Sequence, residues 1–362
     1  RNLLCELRRD GHRVTLMTQA DQVSGVVPDG VEVLTVPATV LQGSQARWIP
    51  LAWRFAQKLK QVKAEEHFDL VHFTDAREAL FFAEQHPVVV GNVNDYYAAQ
   101  LQSLGYYRRY YFDWWKRWLY YVFVHQCERV TLRRLDAIIA NSQYTYKAIQ
   151  QAYGLDSRRM FKCPKAIDLS LFNEVSHVDP LGELVLFVGS NMQRKGLRTL
   201  IQAAPRVLSV RPKVRFIIVG RDANLPRIRS LCHQLGVAEH FEFAGLVAHA
   251  ELLKLYRQAR LLVMPSLMEA FGMVFLEAMA SGIPVIGSKV GGIPELIQHQ
   301  ENGLLVEADN PSELAVTLLA VLSDPELAAR IGAHGQRTAQ RFGIESMLTC
   351  TYRVYEAALT MH

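Results

Sequence analysis

The sequence predicts an α/β protein of two doubly wound domains, each a parallel sheet covered by helices on both faces. Three observations carry this. In the second half, short apolar runs near 184–189, 214–219, 241–244, 260–264, 284–287 and 304–306 alternate with segments of helical spacing. That alternation requires crossover connections, hence parallel strands. In the first half, apolar runs at 13–18, 31–36, 69–74, 87–93 and 137–141 read the same way. Finally, 362 residues with 50% hydrophobic content suit two cores and exclude a disordered chain.

Charge and cysteine usage narrow the class. The net charge is +5, with the excess mostly in the first half. This is too small to argue for nucleic acid, and it allows a local basic face. The five Cys are scattered and form no C-x-x-C pair, so neither zinc nor a disulfide framework is expected. A reduced cytoplasmic compartment fits best. No apolar run approaches the ~18 residues of a membrane span, and no signal peptide is visible.

Taken in order, the chain begins with the end of a helix, Arg1 to Asp10, followed by Gly11-His12 and a strand. Trp48 to Glu66 places Leu51, Phe55, Leu59 and Val62 on one helical face, with Arg54, Lys58, Lys60 and Lys63 on the other. Asn94 and Asp95 follow the 87–93 strand at its carboxyl end, where ligands are met in such sheets.

Between 106 and 123 lie eleven aromatic residues, enough to make segment 106–134 the most unusual of the chain. Tyr107, Tyr111, Trp114, Trp118 and Tyr121 share one helical face. Three readings stay open: a helix packed under the first sheet, a helix lying on an anionic membrane surface, or an aromatic platform for an acceptor sugar. Ala137 to Asn141 is a strand, and Ser142 is the expected N-cap of a helix reaching Tyr153. Residues 173–182, polar and broken by Pro and Gly, read as a linker. The domains are therefore expected at 1–172 and 183–341, with 342–362 as a final helix.

The densest chemistry lies at 260–295. An apolar strand ends in Pro265-Ser266, a helix closes at Gly282, and Pro284 opens the next strand. Glu269 is in the loop and Glu277 is inside the helix. Eight residues at helical rise span roughly 12 Å, about the reach from a sugar ring across a diphosphate to a ribose. The helix start near Gly272 offers N–H groups and a positive dipole end to an anion. From spacing alone, two solvated helix carboxylates are the better account. No G-x-G-x-x-G follows any strand, which argues against a dinucleotide dehydrogenase.

Glu269 and Glu277, with Phe271-Gly272 between them and Gly291-Gly292-Ile293-Pro294-Glu295 after, resemble the E-x7-E signature of retaining GT-B glycosyltransferases of family 4, the glycosyl transferases group 1. The likeness continues in Glu301-Asn302-Gly303-Leu304-Leu305-Val306, and upstream in Phe187-Val188-Gly189-Ser190 and Arg194-Lys195-Gly196.

The resemblance implies a GT-B fold, two Rossmann-like domains facing a cleft, with the last helix crossing back to the first domain. It implies transfer of a hexose from a nucleotide diphosphate sugar to a glycan, lipid or small-molecule acceptor, with retention. Glu269, Arg194 and Lys195 would be catalytic, the last two on the leaving diphosphate. Gly189, Gly220, Phe271, Gly272, Met273, Glu277, Gly291 and Gly292 would face the donor, and Asn94 and Asp95 the acceptor. No cofactor is implied, and no Asp-x-Asp element calls for a metal. Family members carry a first strand and a Gly-rich loop ahead of the opening helix, and both are absent from this sequence. A phosphorylase on the same fold and a non-catalytic nucleotide-sugar binding protein are the alternatives.

Overall fold

The computed structural model describes residues 2–22, 27–38, 48–82, 87–95, 114–172 and 182–361. The 173–181 part of the expected linker, and Tyr107 and Tyr111, lie outside the described residues. The chain divides into two units, Arg1–Pro164 with Met347–His362, and Lys165–Ser346. The sequence reading placed these divisions at 172 and 342. Residues 165–172 go instead with the second unit, because Ile167 bridges to Gly343 and accommodates its N–H on Phe342 O at 3.0 Å. Ile167 and Phe172 are also buried in the second unit's core.

The first unit holds two sheets. Strands β1 (Thr15–Gln19) and β2 (Glu32–Val36) pair in parallel as a separate two-stranded sheet. Strands β3 (Leu70–Phe73), β4 (Val88–Val93), β5 (Ala137–Ala140) and β6 (Met160–Lys162) form a parallel sheet in that spatial order. Around them are helices α1 (Asn2–Arg9), α2 (Trp48–Lys63), α3 (Trp114–Arg134) and α4 (Gln143–Tyr153).

The strand period of two sorts the core. Val89, Val93, Ile138 and Ala140 face one way and pack with Leu132, Ile149 and Tyr153. Val88, Val90, Ala137 and Ile139 face the other way, onto Val354 and Ala358 of the last helix, α12 (Ile344–Met361). Ser142 caps α4 as expected, accepting from Thr145 N at 3.0 Å. Gly154 ends that helix in the left-handed region, at φ 63°.

Helix α3 corrects one expectation. Tyr121 was expected on the same face as Trp118, but Tyr121 is 6% exposed and Trp118 38%. The outward stripe is instead Trp115, Trp118, Leu119 and Phe123, between 38% and 51% exposed. The inward stripe is Tyr121, Val124, Glu128, Thr131 and Leu132, set by what the sheet and α4 can cover. Among the described residues, no helix is long and apolar enough to cross a membrane.

The second unit is one six-stranded parallel sheet. Its strands are β7 (Leu184–Val188), β8 (Arg215–Val219), β9 (Phe241–Gly245), β10 (Leu261–Met264), β11 (Val285–Ser288) and β12 (Leu304–Val306). The spatial order is β12-β11-β10-β7-β8-β9. Chain order therefore reverses between β7 and β10, the switch point at whose carboxyl ends doubly wound sheets bind ligands. Strands β7, β10 and β11 are buried throughout, as a sheet covered on both faces demands. The helices are α5 (Leu197–Val210), α6 (Leu225–Gln234), α7 (His249–Gln258), α8 (Met273–Ala280), α9 (Ile293–Leu296), α10 (Pro311–Ser323) and α11 (Pro325–Ala339).

Candidate functional site

The loops that follow β7 and β10 meet at the switch point, and backbone contacts lock them together. Leu267 N donates to Arg194 O at 2.8 Å, and the Arg194 guanidinium donates back to Met268 O at 3.2 Å. Gly196 has φ 79°, and a Cβ there would fall 1.8 Å from Pro265 O, so only glycine permits this approach.

The lock brings Lys195 Nζ into an ion pair with Glu269 Oε2. Both side chains are largely buried, 13% and 8% exposed. Gly189 leaves room for the lysine stem, since a Cβ there would lie 3.2 Å from Lys195 Cγ. Gly220, at φ 133°, lets the end of β8 close on β7, for its Cβ would meet Gly189 O at 2.3 Å. Two expected site residues 74 positions apart in the chain, the lysine and the carboxylate, are thus direct partners.

Glu269 is held from below as well. Gly292 N donates to Glu269 O at 3.0 Å. Gly291, at φ 56°, would put a Cβ 1.8 Å from that same oxygen. The Gly-Gly pair, expected beside the diphosphate, serves in this structure to seat the Glu269 backbone.

Helix α8 starts at Met273, directly after the Gly272 near which the sequence placed its start. Gly272, at φ 102°, is the N-cap, and the helix has no side-chain cap and no acidic residue in its first turn. Such an end presents N–H groups and a positive dipole without a built-in anion. Because only residues after 272 are helical, the 12 Å estimate for helical rise does not apply to Glu269 and Glu277. Phe271 was expected to face the donor. Its ring is 4% exposed and packs edge-on to Phe342 at 6.1 Å, because the turn before α8 folds it into the core. Only its backbone is left for a ligand.

Glu277 lies one turn into α8. Its Oε2 accepts a hydrogen bond from Tyr256 Oη at 2.8 Å. Burial pushes the Glu277 carboxyl up, against the lowering effect of that hydrogen bond, and burial raises the Tyr256 hydroxyl well above its ordinary value. Sequence reasoning missed Tyr256, since nothing in LKLYRQ distinguishes it from any core aromatic. Asp222 is a further anchor, its Oδ2 accepting from Met192 N at 2.6 Å and its Oδ1 from Asn224 N at 2.7 Å. That carboxylate ties the loop after β8 to the one after β7.

In the first unit, a cavity of about 70 Å³ opens at the carboxyl ends of β3 and β4. Asn94 and Asp95 line it, together with Asp75, Arg77, Glu128 and Thr131. Arg77 forms a fork on Asp75, with Nη2 at 2.5 Å and Nε at 3.0 Å. Glu128 takes Tyr153 Oη at 2.5 Å, and burial pushes its carboxyl up to about 8. Burial and the neighbouring Asp75 likewise raise Glu78 to about 7. Asn94 itself is braced, donating to Thr74 O at 2.7 Å and accepting from Asn141 Nδ2 at 2.8 Å.

A doubly wound sheet, a bare helix N-terminus and a lysine–carboxylate pair at the switch point define a class that binds anionic ligands at the carboxyl edge of its sheet. Comparison with known proteins narrows it. The family described as glycosyl transferases group 1 matches residues 174–338, and glycosyltransferase family 4 matches residues 1–171. The chain belongs to this glycosyltransferase family.

It is similar to a D-inositol 3-phosphate glycosyltransferase of Segniliparus rotundus, 31% identical over 62% of this chain and 53% of that protein. An uncharacterised glycosyltransferase of Methanocaldococcus jannaschii is 37% identical over 49% of this chain and 46% of that protein. The chain spans about half the length of the curated relatives it matches. Among solved structures, a sucrose-phosphate synthase of Thermosynechococcus elongatus superposes with a TM-score of 0.83 at 23% identity, over 100% of this chain and 93% of that one. HepE of Anabaena, solved with UDP and glucose, gives 0.70 at 21% identity over 94% and 99%. These likenesses establish the GT-B fold, with two Rossmann-like domains.

Proposed function

We propose that this chain transfers a hexose from a nucleotide diphosphate sugar to a hydroxyl-bearing acceptor with retention of configuration. The observation that carries the reading is the Lys195–Glu269 pair at the β7/β10 switch point, beside the uncapped start of α8. The diphosphate meets Lys195, Arg194 and the N–H groups of Gly272 and Met273. These offset the charge that grows on the leaving phosphate as the glycosidic bond breaks. Arrival of the diphosphate draws Lys195 away from Glu269, leaving that carboxylate to hold the sugar and to stabilise positive charge at the anomeric carbon. Glu277, oriented by Tyr256, binds the ribose hydroxyls. Asn94 and Asp95 face the acceptor from the first-unit cavity. This reading needs no metal, because Lys195 and Arg194 supply positive charge to the diphosphate and the N–H groups of Gly272 and Met273 supply donors.

UDP is the first base to try, since HepE was solved with UDP and with UDP-glucose. The test is thermal stabilisation by UDP, GDP and ADP, each with and without a sugar, with Glu277→Ala alongside. A ligand at 100 times its Kd adds about 2.7 kcal/mol. One nucleotide must shift the wild type and shift the variant much less. Absence of any shift removes the donor site. Sugar phosphate formed on adding inorganic phosphate would point to a phosphorylase, and binding without turnover to a non-catalytic protein.

A second reading concerns the outer face of α3. Trp115, Trp118, Leu119 and Phe123 are exposed, with Lys116 beside Trp115. Aromatic and aliphatic groups flanked by a cation suit an anionic lipid surface. Sedimentation with anionic liposomes tests it: Trp115→Ala with Leu119→Ala must lose binding, and an unchanged pellet sinks it.

A further inference from the structure

Two cysteines outside the candidate site meet in the first unit. Cys163 follows β6 and is buried, while Cys350 is half-buried on α12. Each thiol lies against the other's chain segment. Cys163 Sγ donates to Met347 O at 3.6 Å and is 3.9 Å from Thr351 Oγ1, so it occupies the groove of α12 that Cys350 borders. Cys350 Sγ donates to Lys162 O at 3.4 Å, the residue before Cys163. Both are free.

Their surroundings are unequal. The neighbouring Cys163 thiol lowers the Cys350 thiol, against the raising effect of burial and with help from the positive charge of Arg353 and Lys162. The Cys163 thiol is pushed up by the neighbouring Cys350 and by burial. A thiolate is the nucleophile in thiol–disulfide exchange, so the partly exposed thiol beside cations attacks first and the buried one follows. Cys5, Cys127 and Cys232 are free as well.

We propose that Cys350 and Cys163 form a thiol-exchange site for low-molecular-weight disulfides, closing to an intrachain disulfide that ties α12 to the end of β6. In the first step the Cys350 thiolate attacks a disulfide RSSR, forming a Cys350–SR mixed disulfide and releasing RS⁻. In the second, Cys163 loses its proton to solvent and attacks the Cys350 sulfur, forming the Cys163–Cys350 bond and releasing the second RS⁻. Two protein thiols are oxidised by two electrons, and one RSSR is reduced to two RSH. The bond would pin α12 close to the point where it passes from the second unit to the first. The site is independent of the proposed sugar transfer.

The test uses the intact chain incubated with oxidised glutathione, then alkylated under native conditions and mapped by peptide mass. The expected result is a cross-linked peptide pair joining Cys163 to Cys350, with loss of two titratable thiols and no retained glutathione. In Cys163→Ser the reaction stops at the first step, and glutathione stays on Cys350. Reduction with dithiothreitol restores both thiols. Stable glutathione on Cys350 of the wild type, reaction at Cys5 alone, or no reaction overturns the proposal. The wild-type map decides the matter even if a variant fails to fold.

Discussion

Tyr256 Oη donates a 2.8 Å hydrogen bond to Glu277 Oε2, joining a fully buried ring on α7 to the carboxylate on α8. That hydrogen bond restrains the carboxylate. Tyr256→Phe keeps the ring and removes the donor. A hydrogen bond to a charged group is worth about 1.5–3 kcal/mol, so nucleotide binding should weaken by at least about tenfold. Titration calorimetry with the nucleotide found in the panel measures this. An unchanged Kd would mean that Glu277 does not touch the nucleotide.

Lys195→Met leaves Glu269 buried without its partner. Breaking a buried pair from one side costs about 3–5 kcal/mol. Adding Glu269→Gln should recover most of that stability, because no uncompensated charge remains. Transfer should fall by about a hundredfold or more in both single and double variants. A double variant that regains stability and activity together would assign the pair a purely structural role.

Gly291→Ala and Gly154→Ala separate backbone strain from collision. Both glycines have left-handed φ, 56° and 63°. At Gly154 an added Cβ meets nothing within 4 Å, so about 1–2 kcal/mol of conformational cost is expected. At Gly291 the Cβ would stand 1.8 Å from Glu269 O, and the loop must move. Gly291→Ala should therefore lose more stability than Gly154→Ala, and should also lose donor binding, which Gly154→Ala keeps.

Glu128 gives a pH dependence of defined sign. Its folded carboxyl is raised to about 8 by burial, against about 4.3 in an unfolded chain. Between those values the folded state holds a proton that the unfolded state has released. This contribution to stability is therefore complete below about pH 4 and is lost as pH rises through about 8. Glu128→Gln does not titrate, so from pH 6 to pH 8 it should gain on the wild type by about 2–3 kcal/mol. All five Trp lie in the first unit, so urea denaturation followed by Trp fluorescence reports that unit alone. Parallel curves at the two pH values would mean that Glu128 is ionised in the folded protein.

Much of the scaffold was legible in the sequence. Strand runs such as 184–189 and 137–141 are continuous and apolar because both faces are covered, and that pattern needs no knowledge of the partners. Ser142 as N-cap is a local rule satisfied by a local hydrogen bond. Glu269, Glu277 and Lys195 stand out in the sequence only through their motif. Their chemistry depends on distances that spacing does not contain.

The sequence by itself determined the α/β class, the alternation of strand and helix, and the glycines that mark close approaches. These follow from periodicity and backbone sterics, which act over a few residues. Only the tertiary structure decided that Lys195 pairs with Glu269, that Tyr256 orients Glu277, that Phe271 turns into the core, and that Cys163 meets Cys350. Each of those contacts joins segments far apart in the chain. They are set by sheet order and by which helix face is covered, and strand order within a sheet is a property of packing that no local pattern encodes.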